Sequence, residues 1–262
     1  MRGIKMTNEL RKHIIKLMKS GIRLDGRKAD ELRKPIKVEC GVVNTADGSA
    51  RVILGETEVI AGVKLEVGTP YPDKPGEGSI IVGAELLPMS SPDFESGPPS
   101  IQGIELARVV DRGIRECKAI DFKKLCITEG EKVWIIVIDV CVINDAGNLF
   151  DVAALAALSA LKDTRYPKFD GEKIEHMEHT DEPLPLTENP LAVTVLKIGD
   201  ELYVDPSSEE EKVVDARLTV ASIEDGNLCA LQKGGDEPLS ADDIDKMIKL
   251  GMAKTEELRK LL

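Results

Sequence analysis

The run V-W-I-I-V-I-D-V-C-V-I, residues 133–143, is broken only by Asp139, and it leads through N-D-A-G-N into L-F-D-V-A-A-L-A-A-L-S-A-L, residues 149–161. The first stretch is β-branched and reads as a strand. The second is apolar almost all round, so a helix there has no face to offer water and must be enclosed against a sheet. A strand, a glycine turn and a helix start together make a phosphate-site geometry, because the first helical turn presents unpaired N–H groups and the positive end of the dipole. Yet residues 144–148 contain no Lys, Arg, Ser or Thr to hold an anion.

Upstream the pattern is β-rich from Ile36 to Met89, in I-K-V-E-C-G-V-V, A-R-V-I-L-G, T-E-V-I-A-G-V-K-L-E-V and S-I-I-V-G-A-E-L-L. Asp47-Gly48 reads as a hairpin turn between the first two strands, since glycine accepts the positive φ of a tight turn. Prolines then crowd residues 70–100, a loop pattern that is functional or interfacial as often as idle. Helices are expected over Thr7–Ser20, with Thr7 as N-cap and Gly21 as stop, over Ile101–Cys117, and over Phe150–Lys162. Tyr166–Pro190, rich in charge and proline, reads as a connection between subdomains. Short strands follow, with a hairpin turn at Asp225-Gly226, and a last helix begins at Ser240 with a capping box completed by Asp243. The expectation is an α+β chain divided as an N-terminal helix (1–20), a first subdomain with its connection (21–190) and a C-terminal subdomain (191–262).

The helix from Ile101 carries Arg108, Arg112 and Arg115 within roughly 60° of one another, opposite Leu106, Val110, Gly113, Ile114 and Cys117. One reading is a solvated face neutralised locally, Asp111 by Arg115 and Glu105 by Arg108. The other is a stripe of guanidinium forks for phosphate oxygens. A formal charge of −12 disfavours a polyanion partner unless the basic groups are gathered in one place, and an aromatic share of 3% argues against a base-stacking module.

Other constellations are weaker. His176 and His179 have the spacing of a metal pair but no third ligand nearby, so a surface loop is favoured. Asp205, Glu209, Glu210 and Asp215 offer carboxylates for Mg²⁺ or acid–base work, and a charged turn explains them almost as well. Cys40, Cys117, Cys126, Cys141 and Cys229 are odd in number and without C-x-x-C, and read as reduced thiols packed as small hydrophobes in a cytoplasmic protein. No Walker-A, G-x-S-x-G or H-E-x-x-H pattern occurs, and no apolar run is long enough to span a membrane.

Four stretches taken in order, G-I-R-L-D-G-R, N-T-A-D-G-S-A-R-V-I-L-G-E-T-E-V-I-A-G-V, I-E-L-A-R-V-V-D-R-G-I-R-E and Y-V-D-P-S-S-E-E-E, resemble the RNase PH superfamily. More narrowly, they are similar to the larger, non-catalytic ring subunits of the archaeal exosome. The resemblance covers about residues 20 to 260. It implies the RNase PH fold, two β-α subdomains of the ribosomal-protein-S5-domain-2-like type. It also implies a hetero-hexameric ring, a trimer of heterodimers with a homologous catalytic subunit, joined by RNA-binding cap subunits and degrading RNA from its 3′ end with inorganic phosphate. Active relatives have a G-G-T-R or G-S-R-like turn where this chain has Ala146, Gly147, Asn148 and Leu149. Without the hydroxyl and the guanidinium, the charge-assisted bonds that hold a phosphate dianion are gone. The implication is a subunit with no catalytic residue, metal or cofactor of its own, phosphate being used at the partner's site. In it Arg108, Arg112 and Arg115 would bind RNA, and Asp215 would match a family catalytic aspartate. Two rival expectations are a self-sufficient phosphorolytic exoribonuclease and a ring scaffold that never contacts RNA.

Overall fold

The structure, a computed structural model, describes residues 2–262, with side chains from Glu9 onward. Helix α1 spans Arg2–Lys19 and is followed by strands β1 (Ile36–Cys40), β2 (Gly48–Leu54), β3 (Thr57–Gly68) and β4 (Ser79–Leu86). Helix α2 (Ile101–Glu116), a 3-10 turn at Phe122–Leu125, β5 (Cys126–Thr128), β6 (Lys132–Asn144) and α3 (Leu149–Asp163) complete the first lobe. Then come β7 (Arg165–Phe169), β8 (Ile174–Pro183), β9 (Leu191–Ile198), β10 (Glu201–Val204), the short α4 (Ser208–Glu211), β11 (Ala216–Ser222), β12 (Leu228–Gly234) and α5 (Ala241–Arg259).

The first sheet runs β1-β2-β3-β6-β4 with β5 beside β6, and the second runs β10-β9-β11-β12. All pairs in these two sheets are antiparallel except β4 with β6, where Val82 lies opposite Ile138. Alternate residues of β6, Ile136, Ile138, Val140 and Val142, point into the core, as the period of two requires. Helix α3 packs on β2 and β3 of the first sheet and on β9 of the second. That double covering is why its residues from Val152 to Leu161 are apolar on nearly every side, with all but Ala154 fully buried. Helix α5 closes the second sheet over β9 and β11. One buried cluster therefore runs from Leu32 to Leu258 through both lobes, and the α+β architecture of two sheet-and-helix lobes is the expected one.

Several local expectations hold for the reasons given. The Ser240–Asp243 capping box opens α5, and Gly226 turns between β11 and β12 at φ +81°. Helix α1 docks by Ile14 and Met18 on Leu196, Ile198, Tyr203 and Val213 and stops at Gly21, φ +78°.

Others differ. Helix α1 begins at Arg2, so the backbone at Thr7 is already helical and is not a cap. Asp47-Gly48 is not the tip of a hairpin: β2 begins at Gly48, and Gly41 carries the positive φ of the β1–β2 connection. Asp47 is 4% exposed, accepts from Leu65 N at 2.7 Å and pairs with His179 Nε2 at 2.9 Å. Glycine is required at position 48 because a Cβ would lie 2.5 Å from the Thr164 backbone. The charged connection after Tyr166 is a two-stranded ribbon, β7–β8, whose Tyr166 and Phe169 rings both sit 5.5 Å from Trp134. Its charges face water while two aromatic rings close the core. Finally, Cys117 and Cys229 form a disulfide with Cα atoms 4.9 Å apart. The reading of all five cysteines as reduced thiols fails here, because a pair 112 residues apart is brought together only by α2 packing on β12.

Candidate functional site: a closed anion turn and an arginine face

The turn between β6 and α3 is held from both lobes. Gly147, at φ +95°, passes so close to the second lobe that a Cβ would meet Pro206 O at 2.5 Å. Asn148 takes the left-handed conformation, φ 63° and ψ 39°, as the N-cap residue of α3, and its side chain caps no helical N–H. Instead its Nδ2 donates to Asp205 Oδ1 at 2.9 Å, and its backbone N–H donates to Glu211 Oε1 at 2.9 Å. The group that would meet a bound anion is thus already given to the protein's own carboxylate, at the end of the helix where negative charge is favoured.

Other polar atoms of the turn are engaged as well. Arg33 donates to Ala146 O at 2.6 Å and to Gly147 O at 2.9 Å, and it also pairs with Asp205 at 2.8 Å. Thr57 Oγ1 donates to Gly147 O at 2.6 Å. Asp205, 0% exposed, receives Arg27 and Arg33 as well as Asn148, so both of its oxygens are already engaged by the protein.

Beside the turn lies a cavity of about 220 Å³, lined among others by Glu105, Asp145, Asn148, Phe150, Glu211 and Arg217. Arg217 is its one cationic group; it pairs with Glu105 and stacks 4.7 Å over the Phe150 ring. With Arg217 neutralised by Glu105, the cavity has no free cation among the described residues for a phosphate dianion and faces it with Asp145 and Glu211. Burial pushes the Glu211 carboxyl up to about 7, opposed by the Asn148 N–H and reinforced by Asp145. Burial also raises Asp145.

One turn into α3, Asp151 is 1% exposed and accepts from Thr194 N at 2.7 Å. Burial pushes it up to about 8. Its Oδ2 and the Asn148 Oδ1 are both buried without a hydrogen-bond donor, an arrangement that a proton on Asp151 relieves. Both Asp151 and Glu211 hold protons more tightly folded than unfolded, so their contribution to stability is complete below about pH 4 and is lost as pH rises through about 7 and about 8. Thermal unfolding should therefore show Tm falling between about pH 5 and 9. Asp151→Asn, which keeps a donor without the charge, should flatten the upper part of that curve and raise Tm above the parent at about pH 9 by roughly 5 °C or more. A variant curve parallel to the parent's would refute the assignment.

The sequence-derived candidates separate. Arg108, Arg112 and Arg115 do share one exposed face of α2. Arg115 is held by Asp111 at 2.7 Å and by Ile80 O at 3.0 Å, and Arg112 donates to Gln232 Oε1 on β12 at 2.8 Å. Arg108 lines an open groove along β4 with Asp111 and has no ion-pair partner among the described residues. Glu105, expected to neutralise Arg108, is turned to Arg217 instead.

Asp215 is not at the cavity. Although burial opposes it, the Arg11 guanidinium at 2.8 Å and the Gly199 N–H at 2.6 Å hold it below the usual carboxylate range. The carboxylates that reach the turn are Asp205, a sequence candidate, and Glu211, which sequence reasoning passed over. In the run Glu209-Glu210-Glu211, helical rotation sends the first to solvent, the second to buried Arg23 and the third to Asn148, and nothing in three identical letters marks which is which. His179 is tied to Asp47 on a strand, and no group of three metal-ligating side chains occurs among the described residues.

Fold and junction together define the class: a two-lobed α+β chain whose lobes meet at a phosphate-type turn closed by an internal carboxylate. The 3′ exoribonuclease (RNase PH) family matches over both halves, its domain 1 at residues 32–167 and its domain 2 at residues 188–254, and the chain belongs to that family. It is 47% identical over 251 residues to the exosome complex component Rrp42 of Methanothermobacter thermautotrophicus, covering 95% of this chain and 92% of that protein. It is 48% identical over 256 residues to the Rrp42 component of Methanopyrus kandleri, covering 95% and 94%. Among solved structures, a chain of the Archaeoglobus fulgidus exosome with RNA bound to the active site superposes with a TM-score of 0.89 at 43% identity, covering 97% of this chain and 98% of that one. Among the described residues no helix is long and apolar enough to cross a membrane.

Proposed function

We propose that this chain is a non-catalytic ring subunit of an archaeal-exosome-type phosphorolytic 3′→5′ exoribonuclease, assembling as a trimer of heterodimers with a homologous catalytic subunit in the cytoplasm. The observation that carries the reading is the Asn148 N–H donated to Glu211 at the start of α3. Phosphorolysis needs an inorganic phosphate held for in-line attack by preorganised donors. Here the principal donor is occupied, and the adjoining cavity presents Glu105, Asp145 and Glu211 around a paired Arg217. Phosphate is accordingly bound and used at the partner's site, while Arg108, Arg112 and Arg115 of this chain hold the RNA backbone and the cap subunits deliver it. The similarity to Rrp42 components over nearly the whole chain supports the assignment.

The test is phosphate-dependent shortening of a 5′-labelled RNA by the chain alone, by the catalytic partner alone and by the complex. Activity requiring the partner and absent from the isolated chain is expected. Phosphate-dependent release of nucleoside diphosphates by the isolated chain would overturn the reading in favour of a self-sufficient enzyme. Asn148→Thr combined with Leu149→Arg should also remain inactive, below about 1% of the complex, because each missing preorganised donor costs on the order of 100-fold in rate and the Asn148 position's N–H stays blocked. Glu211 still occupies the turn in that variant, so robust activity would mean that the rest of the site is intact.

A further inference from the structure

We propose that Cys117 and Cys229 constitute a reversible thiol–disulfide site that braces the arginine-bearing end of α2 against the edge strand β12. The pair is the only one bonded among the described residues; Cys40, Cys126 and Cys141 are free. Cys117 is the C-cap residue of α2, directly after Arg115 and Glu116, and is 8% exposed. Cys229 lies on β12, which has a neighbour on one side only, and is partly exposed. The bond therefore ties a helix of the first lobe to a strand of the second across 112 residues of chain. The same two elements meet again where Arg112 donates to Gln232 at 2.8 Å, so two of the three arginines of the exposed face sit within a turn or two of a covalent anchor.

Accessibility sets the direction of exchange. A thiolate of a small dithiol reaches the partly exposed Cys229 Sγ, the S–S bond breaks, and the buried Cys117 leaves as a thiolate and takes up a proton. The second thiol of the reagent then displaces Cys229 from the mixed disulfide, so two electrons and two protons pass from dithiol to protein and the reagent leaves as its cyclic disulfide. A low-molecular-weight disulfide drives the same steps in reverse. The brace restricts the unfolded chain and ties the end of α2 to β12; its removal leaves the Arg112–Gln232 hydrogen bond, exposed and weak, as the polar tie between those two elements among the described residues.

The link between brace and function rests on the reading of the arginine face as an RNA contact. Alkylation of the purified chain without reductant, followed by peptide mass mapping, should find the 117 and 229 peptides joined, and treatment with dithiothreitol should release them. A closed loop of this length predicts that reduction lowers Tm by about 10 °C, and Cys229→Ser should start at the lower value and ignore reductant. In the assembled ring, reduction should weaken RNA binding about 3-fold to 10-fold in the parent and not at all in Cys229→Ser. Both thiols alkylating freely after incubation with oxidised glutathione, or a parent Tm indifferent to reductant, would overturn the brace. A Tm response without a change in RNA affinity would overturn its coupling to the arginine face. Whether those arginines touch RNA at all is decided separately, by charge reversal at Arg112 and Arg115.

Discussion

Arg23→Met is expected to lower stability by about 3–5 kcal/mol, which for a chain of this size is a Tm loss of roughly 10 °C or more. The guanidinium is buried, 1% exposed at the side chain, and so is the Glu210 carboxylate it pairs with. Its Nη1 donates to Val204 O at 2.7 Å, its Nη2 to Asp205 O at 2.8 Å, and its Nε to Glu210 Oε1 at 3.0 Å, while the group lies 5.2 Å from the Tyr203 ring centroid. Methionine fills much of the volume but leaves the Glu210 carboxylate in the interior without its counter-charge, held only by Ser207, and takes a donor from the Val204 and Asp205 carbonyls, so the unpaired charge dominates the cost. Adding Glu210→Gln to the variant should recover part of the loss, because the charge is then gone although the two carbonyls still lack the Arg23 donors. Thermal or urea unfolding of the parent and both variants measures this directly, and a single-variant loss under about 1 kcal/mol would show that water reaches the pair. The same bonds seat α4 against the segment from Arg23 to Arg33, so the variant should also loosen the placement of Glu211 on the turn.

In an assembled ring, Arg112→Glu together with Arg115→Glu should weaken binding of single-stranded RNA on the order of 100-fold at moderate salt. Each phosphate left without its arginine reduces the steepness of log K against log salt by about 0.7 for a single strand, so two reduce it by about 1.4. The reversed charges add repulsion to the loss. The two positions are not equivalent. Arg112 is engaged only by Gln232, a neutral partner it releases cheaply, whereas Arg115 is held bidentately by Asp111 and donates to Ile80 O. Arg112→Glu alone should therefore carry most of the effect, and the loss in Arg115→Glu should include local repulsion from Asp111. Mass measurement of each ring separates failed assembly from failed binding. Unchanged affinity together with an unchanged salt slope would leave the chain as a scaffold that does not contact RNA.

Local rules were enough wherever a feature depends on neighbours in sequence. The Ser240 capping box, the Asp225-Gly226 turn, the apolar stripe of α1 and the arginine face of α2 are all set by residues within a few positions of one another, and all are in place. The same rules misjudged Asp47-Gly48. There a favourable turn dipeptide is overridden by Thr164, which leaves no room for a Cβ at position 48, and by Leu65 and His179, which draw Asp47 inward. The connection after Tyr166 was misjudged for a related reason. Its charge density is that of a solvated segment, and only the packing of Tyr166 and Phe169 on Trp134 reveals why it is ordered as a ribbon.

A two-part α+β chain, a strand–turn–helix junction lacking phosphate ligands, and a helix bearing three arginines on one side could all be read from the order of residues alone. Those properties follow from periodicity and from the presence or absence of particular groups, which are one-dimensional facts. What replaced the missing ligands became visible only in three dimensions: Glu211 rather than Asp215 reaches the turn, Asp215 is claimed by Arg11, and Glu105 turns from Arg108 to Arg217. The meeting of Cys117 with Cys229 belongs to the same group. Each of these outcomes is a competition among chemically similar groups for one partner. The winner is fixed by which of them the packing of α3 between the two sheets brings within about 3 Å, the reach of a hydrogen bond, and distance of that kind is not written in the order of residues along the chain.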